Sequence, residues 1–159
     1  MLPRSLYMQG VIIVGLILIL DQITKILVRT FMVEGQSIPI IGEFLALRYI
    51  NNEGVAFSFL SGQRAVVTII QAIAIIIVAI LLIKTGGKRK LYDISLAMIL
   101  GGGIGNIIDR VLFGKVTDMI SFSIFPPIFN VADIGVTLGC GLLLLDIILE
   151  YISEKKNES

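Results

Sequence analysis

The run AVVTIIQAIAIIIVAILLI, residues 65–83, decides the fold. Only Thr68 and Gln71 interrupt it. A helix of this length rises about 1.5 Å per residue and so matches the roughly 30 Å hydrocarbon core of a bilayer. Three further segments, 9–28, 91–111 and 134–151, are long enough to do the same. The first and third reach full length only by including polar residues, and polar side chains inside a span face the bundle interior or a water-filled cavity. Hydrophobic residues make up 56% of the 159 positions and charged residues 16%, against about 25% charge in soluble domains. Mean hydropathy is +0.96. The chain reads as an all-α membrane protein of four transmembrane helices, one integral-membrane domain over residues 1–159.

Arg4 followed by VIIVGLILIL has the outline of a signal peptide, but no small-residue cleavage site follows and helical periodicity continues through DQITKILV. It is read as a retained first span. The short link KTGGKRK carries Lys84, Lys88, Arg89 and Lys90 and is expected on the cytoplasmic side, which puts both termini there and the loops 29–64 and 112–133 outside. In the first of these loops SIPII, LALRYI and VAFSFL are rich in β-branched and aromatic residues, with turn signals at Gly42 and NNEG. They predict a small extracytoplasmic β-sheet between the first and second helices. Gly101-x-x-x-Gly105 and Gly135-x-x-x-Gly139 are spaced for close helix packing.

Composition narrows the chemistry. A net charge of +1 argues against a nucleic-acid partner. The single cysteine, Cys140, is read as a packing residue inside an apolar run. There is no histidine, which removes Ser-His and Cys-His nucleophile pairs and the commonest metal ligand. Neither a metal nor a cofactor is expected.

Against this background two aspartates stand out, Asp118 in KVTDMISF and Asp133 in FNVADIG. An ionised carboxylate at the centre of a membrane helix costs about 2.5–3.5 kcal/mol on insertion scales, so such residues are functional candidates. Asp133 begins the fourth span, where capping the helix amides is a sufficient structural role. That role does not account for Asp118. Two carboxylates brought together do not ionise equally, and the resulting split yields one general base and one acid. Asp21 and Lys25 are four apart and able to pair on one helix face, as a structural ion pair or as the wall of a site. In GGGIGNIIDR, Asn106 and Arg110 also share a face. Arg110 could snorkel to headgroups or hold a carboxylate or a bound peptide.

Together DQITK, NNEGVAF, GGGIGNIIDR, VTD and FNVAD occur in the order and topological positions of the lipoprotein signal peptidases. The resemblance covers essentially the whole chain. It implies an aspartyl endopeptidase of the bacterial inner membrane that removes signal peptides from prolipoproteins, cutting before a cysteine that bears a diacylglyceryl group. It puts the catalytic aspartates at Asp118 and Asp133. Asp21, Lys25, Asn52, Gly54, Ala56, Asn106, Arg110, Asn130 and Ala132 would support the site or position substrate. Membrane lipids are the other expected partner, and a monomer the expected state. Met119, Ile134 and Gly135 depart from the usual flanks of the two aspartates, changes that would tune substrate preference. Two rivals stand beside this reading. One is a serine–lysine protease using Ser58, Ser61 or Ser121 with Lys25 or Lys115; the other is a non-enzymatic helical scaffold.

Overall fold

The computed structural model of the protein describes residues 4–54, 64–85, 87 and 89–157. Four helices, α1 (Arg4–Phe31), α2 (Arg64–Thr85), α3 (Lys90–Phe113) and α4 (Val131–Asn157), alternate with two pairs of strands. Each helix is long and apolar enough to cross a membrane. The distribution of side chains is that of a protein solvated by lipid. Ile69, Ile73, Ile76, Ile77 and Ile80 of α2 are exposed, while Asp21, Lys25, Asn106 and Asp109 are buried. Apolar surface costs nothing against hydrocarbon, so the bundle turns its polar groups inward, where they satisfy one another.

Helix α3 is the hub and packs against the other three. Its glycines permit this. A Cβ on Gly105 would lie 2.5 Å from Asp21 Oδ2, and one on Gly101 would lie 3.1 Å from the backbone of Val14. On α4, Gly135 and Gly139 face Ile17 and Ser95 in the same way. The buried stripe of α4 runs through Ala132, Gly135, Gly139 and Asp146. Cys140 lies one position off that stripe and is exposed, so it is not the packing residue that its apolar run suggests.

The strands form one antiparallel sheet in the order β1 (Ser37–Ile41), β2 (Leu45–Asn52), β3 (Val116–Phe122), β4 (Phe125–Phe129). β1 and β2 fall on SIPII and LALRYI; VAFSFL lies outside the described residues. The sequence reading leaves β3 and β4 in a plain loop. Pro126 and Pro127 argue against a strand, yet β4 is an edge strand, like β1 with its own Pro39, and an edge tolerates a residue without an N–H. The sheet thus joins the α1–α2 and α3–α4 connections at one end of the bundle. It is anchored there by an apolar cluster of Val28 from α1 and Met32 just beyond its end with Tyr49 and Met119.

Candidate active site

Strand alternation aims the first aspartate. Successive side chains of β3 point to opposite faces, so with Met119 held in the apolar cluster Asp118 turns to the other side. Ile50 is its partner across the ladder, which places Asn52 on the same face, two residues along β2. Asp133 lies in the first turn of α4, and Asn130 just before that helix forms a reciprocal cap with it. The Asp133 N–H donates to Asn130 Oδ1 at 2.8 Å, and the Asn130 N–H donates to Asp133 Oδ2 at 3.2 Å.

Three asparagines then deliver amide donors to the two carboxylates, and each is held the right way round. Asn52 Oδ1 accepts the N–H of Gly54 at 2.9 Å, so its amide nitrogen faces Asp118 Oδ2, also at 2.9 Å. Gly54 sits at φ +83°, which favours glycine strongly and makes this local turn possible. Asn130 Oδ1 is occupied by the Asp133 N–H, so its nitrogen reaches Asp118 Oδ1 at 2.7 Å. Asn106 Oδ1 accepts from Lys25 Nζ at 2.9 Å and from Asn130 Nδ2 at 3.1 Å, and its nitrogen reaches Asp133 Oδ1 at 2.7 Å. A lysine ammonium and a peptide N–H can only donate. Each therefore forces the amide oxygen toward itself and the NH2 toward a carboxylate. Asn130 touches both aspartates and couples them.

Behind this layer lies a buried charge ladder. Lys25 Nζ is 2.8 Å from Asp21 Oδ2 and 3.4 Å from Asp109 Oδ2, all three fully buried. Asp21 Oδ1 accepts the N–H of Ala132 at 2.9 Å and so fixes the start of α4. Asp109 accepts the N–H of Thr117 at 3.0 Å and an Arg29 N–H at 3.3 Å, fixing β3 beside Asp118. One cation is thus tied to the mountings of both aspartates. The sequence reading assigns no site role to Asp109 or Gln71 and does not single out Arg29 or Thr117. The signal for Asp109 was present, an acidic residue inside a span, and Gln71 was visible as a polar interruption of α2.

Burial pushes the Asp118 carboxyl up from its ordinary value of 3.8 to about 6; the Asn52 donor opposes this, the charge of Asp133 adds to it, and Asn130 and Lys25 oppose it further. The group therefore exchanges its proton close to neutral pH, as acid–base catalysis requires.

Two recesses meet at Asn52. One, of about 520 Å³, lies between α2, α3 and α4, with Asn106, Arg110 and Asp133 set among Val67, Ile70, Ala74 and Val136. Arg110 Nη1 donates to Gln71 Oε1 on its wall. The other, of about 530 Å³, lies on the sheet and contains Asp118. The structure therefore brings together Asp21, Lys25, Asn52, Gly54, Asn106, Arg110, Asp118, Asn130, Ala132 and Asp133; Ala56 lies outside the described residues. Among the described residues no serine hydrogen-bonds to Lys25 or Lys115, since Lys25 is taken by Asp21, Asp109 and Asn106 and Lys115 pairs with Glu34 at 3.9 Å. Ser58 and Ser61 are outside them. Nor do the described residues hold a cluster of three or more carboxylates or thiols suited to a metal ion.

A family profile described as Signal peptidase (SPase) II matches residues 13–149. A Shouchella clausii protein named lipoprotein signal peptidase is 47% identical over 148 residues, covering 91% of this chain and 97% of its own. One of the same name from Brevibacillus brevis is 41% identical over 147 residues, covering 92% and 97%. A solved bacterial membrane enzyme, 32% identical, superposes with a TM-score of 0.80 over 95% of this chain and 92% of that one.

Proposed function

The chain belongs to the signal peptidase II family of membrane peptidases, and from that premise we propose that it removes the signal peptide from diacylglyceryl-modified bacterial prolipoproteins with Asp118 and Asp133 as its catalytic pair. The observation that carries this reading is the set of three oriented asparagines that present donors to those two carboxylates at the junction of two recesses. In the reaction one carboxylate is ionised and takes a proton from water as the oxygen attacks the scissile carbonyl. The other is protonated and donates to the carbonyl oxygen, giving a neutral gem-diol. Collapse breaks the C–N bond as the carboxyl that took the water proton gives it to the leaving nitrogen. The other carboxylate takes back a hydroxyl proton, which leaves a carboxylic acid and an amine and restores the pair. Asn130 touches both aspartates, and the two roles are assigned to the pair rather than to either residue. No covalent intermediate, metal or cofactor takes part.

The bond cut is the one before the lipidated cysteine. The signal helix lies in the first recess, whose walls are apolar at membrane depth, and Arg110 with the site asparagines holds the peptide carbonyls. The diacylglyceryl chains lie between the spans. Lys84 and Lys90 at the facing ends of α2 and α3 and the Lys155, Lys156 end of α4 lie at the end of the bundle opposite the sheet and stay in the cytoplasm. The dyad then works near the outer face of the inner membrane, in a monomer. Asp118→Asn and Asp133→Asn, each checked for normal insertion, test the reading with a diacylglyceryl precursor and its unmodified counterpart. Cleavage falls by at least about 10³-fold in both variants, and the unmodified precursor is a poor substrate. Cleavage at the normal rate by either variant refutes the dyad.

A further inference from the structure

Arg110 shares the recess between the helices with Asp133, and the charges of Asp133, Asp118 and Asp109 all act on its guanidinium. Among the described residues it nevertheless forms no ion pair. It donates instead to a neutral group on another helix, Gln71 Oε1 of α2. That glutamine is fixed from its other end. Its Nε2 donates to Gly103 O at 3.3 Å, and a guanidinium can only donate, so Oε1 is the end presented to Arg110. Gly103 allows the close approach of the two helices, because a Cβ there would strike Ile75 of α2. Around Gln71, the α2 side chains Ile69 and Ile73 are exposed to lipid, a setting in which an amide is costly unless both of its ends are used. A tie between α2 and α3 needs only the bond to Gly103 O. The second bond, to a cation in the substrate recess, has another consequence.

Resting on the function proposed above, we infer that Gln71 is a positioning residue that draws Arg110 to the α2 wall and off the catalytic carboxylates. Gln71 takes one donor of the guanidinium fork and leaves the others for the carbonyls of the signal segment. Because the tether is neutral, the charge of Arg110 is not spent on it. Without the tether the cation folds onto Asp133, the carboxylate whose charge acts on it most strongly. The new ion pair withdraws an anchor from the substrate and favours the ionised form of the pair at once.

The test compares Gln71→Met with Gln71→Glu in the full-length enzyme acting on a diacylglyceryl precursor peptide. Methionine keeps the length of the side chain and loses both bonds. Glutamate loses the donor to Gly103 O and keeps an acceptor for Arg110. In Gln71→Met, kcat/KM falls about tenfold. Both limbs of its pH profile move to lower pH by about one unit, as carboxylates that gain a close cation require. Gln71→Glu loses several-fold less, and its limbs do not move to lower pH. Gln71→Ala, which also lacks both bonds, is read in the same way if the methionine variant does not insert. Equal losses in Gln71→Met and Gln71→Glu with unmoved limbs mark the residue as a tie between helices and overturn the proposal. Wild-type kcat/KM in Gln71→Met overturns it too. Failure of the function proposed above shows separately, as activity retained in the aspartate variants or as none in the wild type.

Discussion

Replacing Asn130 by alanine removes a side chain that touches both aspartates, Asp118 at its carboxylate and Asp133 at its backbone N–H, and the consequences separate by assay. The hydrogen bond to Asp118 Oδ1, 2.7 Å long, goes to a group that ionises. Such bonds contribute about 1.5–3 kcal/mol, which converts to about 10- to 100-fold in rate if the bond is fully used in the transition state. The cap on the Asp133 N–H, 2.8 Å long, is lost as well, at about 1 kcal/mol of stability. The pH profile is the sharper measure. Burial holds Asp118 near 6 and the Asn130 donor works against that rise. Without the donor the carboxyl titrates higher. The limb of the kcat/KM profile that reports it then moves to higher pH, whichever role Asp118 plays in the dyad. Fluorogenic diacylglyceryl peptide in detergent, followed from pH 4 to 9, gives both quantities. An Asn130→Ala enzyme that keeps the wild-type rate and the wild-type limb refutes the claim that this amide couples the pair.

Three further outcomes are expected. Asp118→Asn removes a carboxyl whose folded pKa, about 6, exceeds its unfolded 3.8. The contribution of this carboxyl to wild-type stability therefore drops as pH rises from about 4 to 6 and is level above, and the thermal midpoint of the variant relative to wild type increases between pH 4 and pH 7 in scanning calorimetry. Lys25→Met strands the fully buried Asp21 without a cation, leaves Asp109 only Arg29 and costs about 3–5 kcal/mol. Asp21→Asn combined with it costs less than the sum of the single variants, as a double-mutant cycle in denaturant will measure. Gly105→Ala drives a methyl onto Asp21 Oδ2 and lowers stability by about 1–3 kcal/mol. Gly15→Ala, with open space around its Cβ, serves as the thermal-shift control and changes little.

What could be read from sequence was local. The spans declare themselves by apolar length, β1 and β2 by composition, and the Asp21–Lys25 pair by helical spacing. The amide orientations were out of reach, because each depends on a donor brought in by the fold: Lys25 for Asn106, the turn at Gly54 for Asn52. The role of Asp109, though not its presence inside a span, was out of reach for the same reason. Its partners Lys25 and Arg29 come from α1 and Thr117 from β3, so nothing beside it in sequence marks it as the mount of that strand. β4 was missed because an edge strand with two prolines is a strand only by virtue of the neighbour it lies against.

The order in which the groups leave the ribosome gives the sheet another meaning. Asn52 lies between α1 and α2, Asp118 between α3 and α4, and Asp133 on α4, the last helix made. No fragment shorter than four helices contains a supported pair of carboxylates. On the proposed dyad, a nascent chain is consequently inert toward the proteins around it until the final helix has docked.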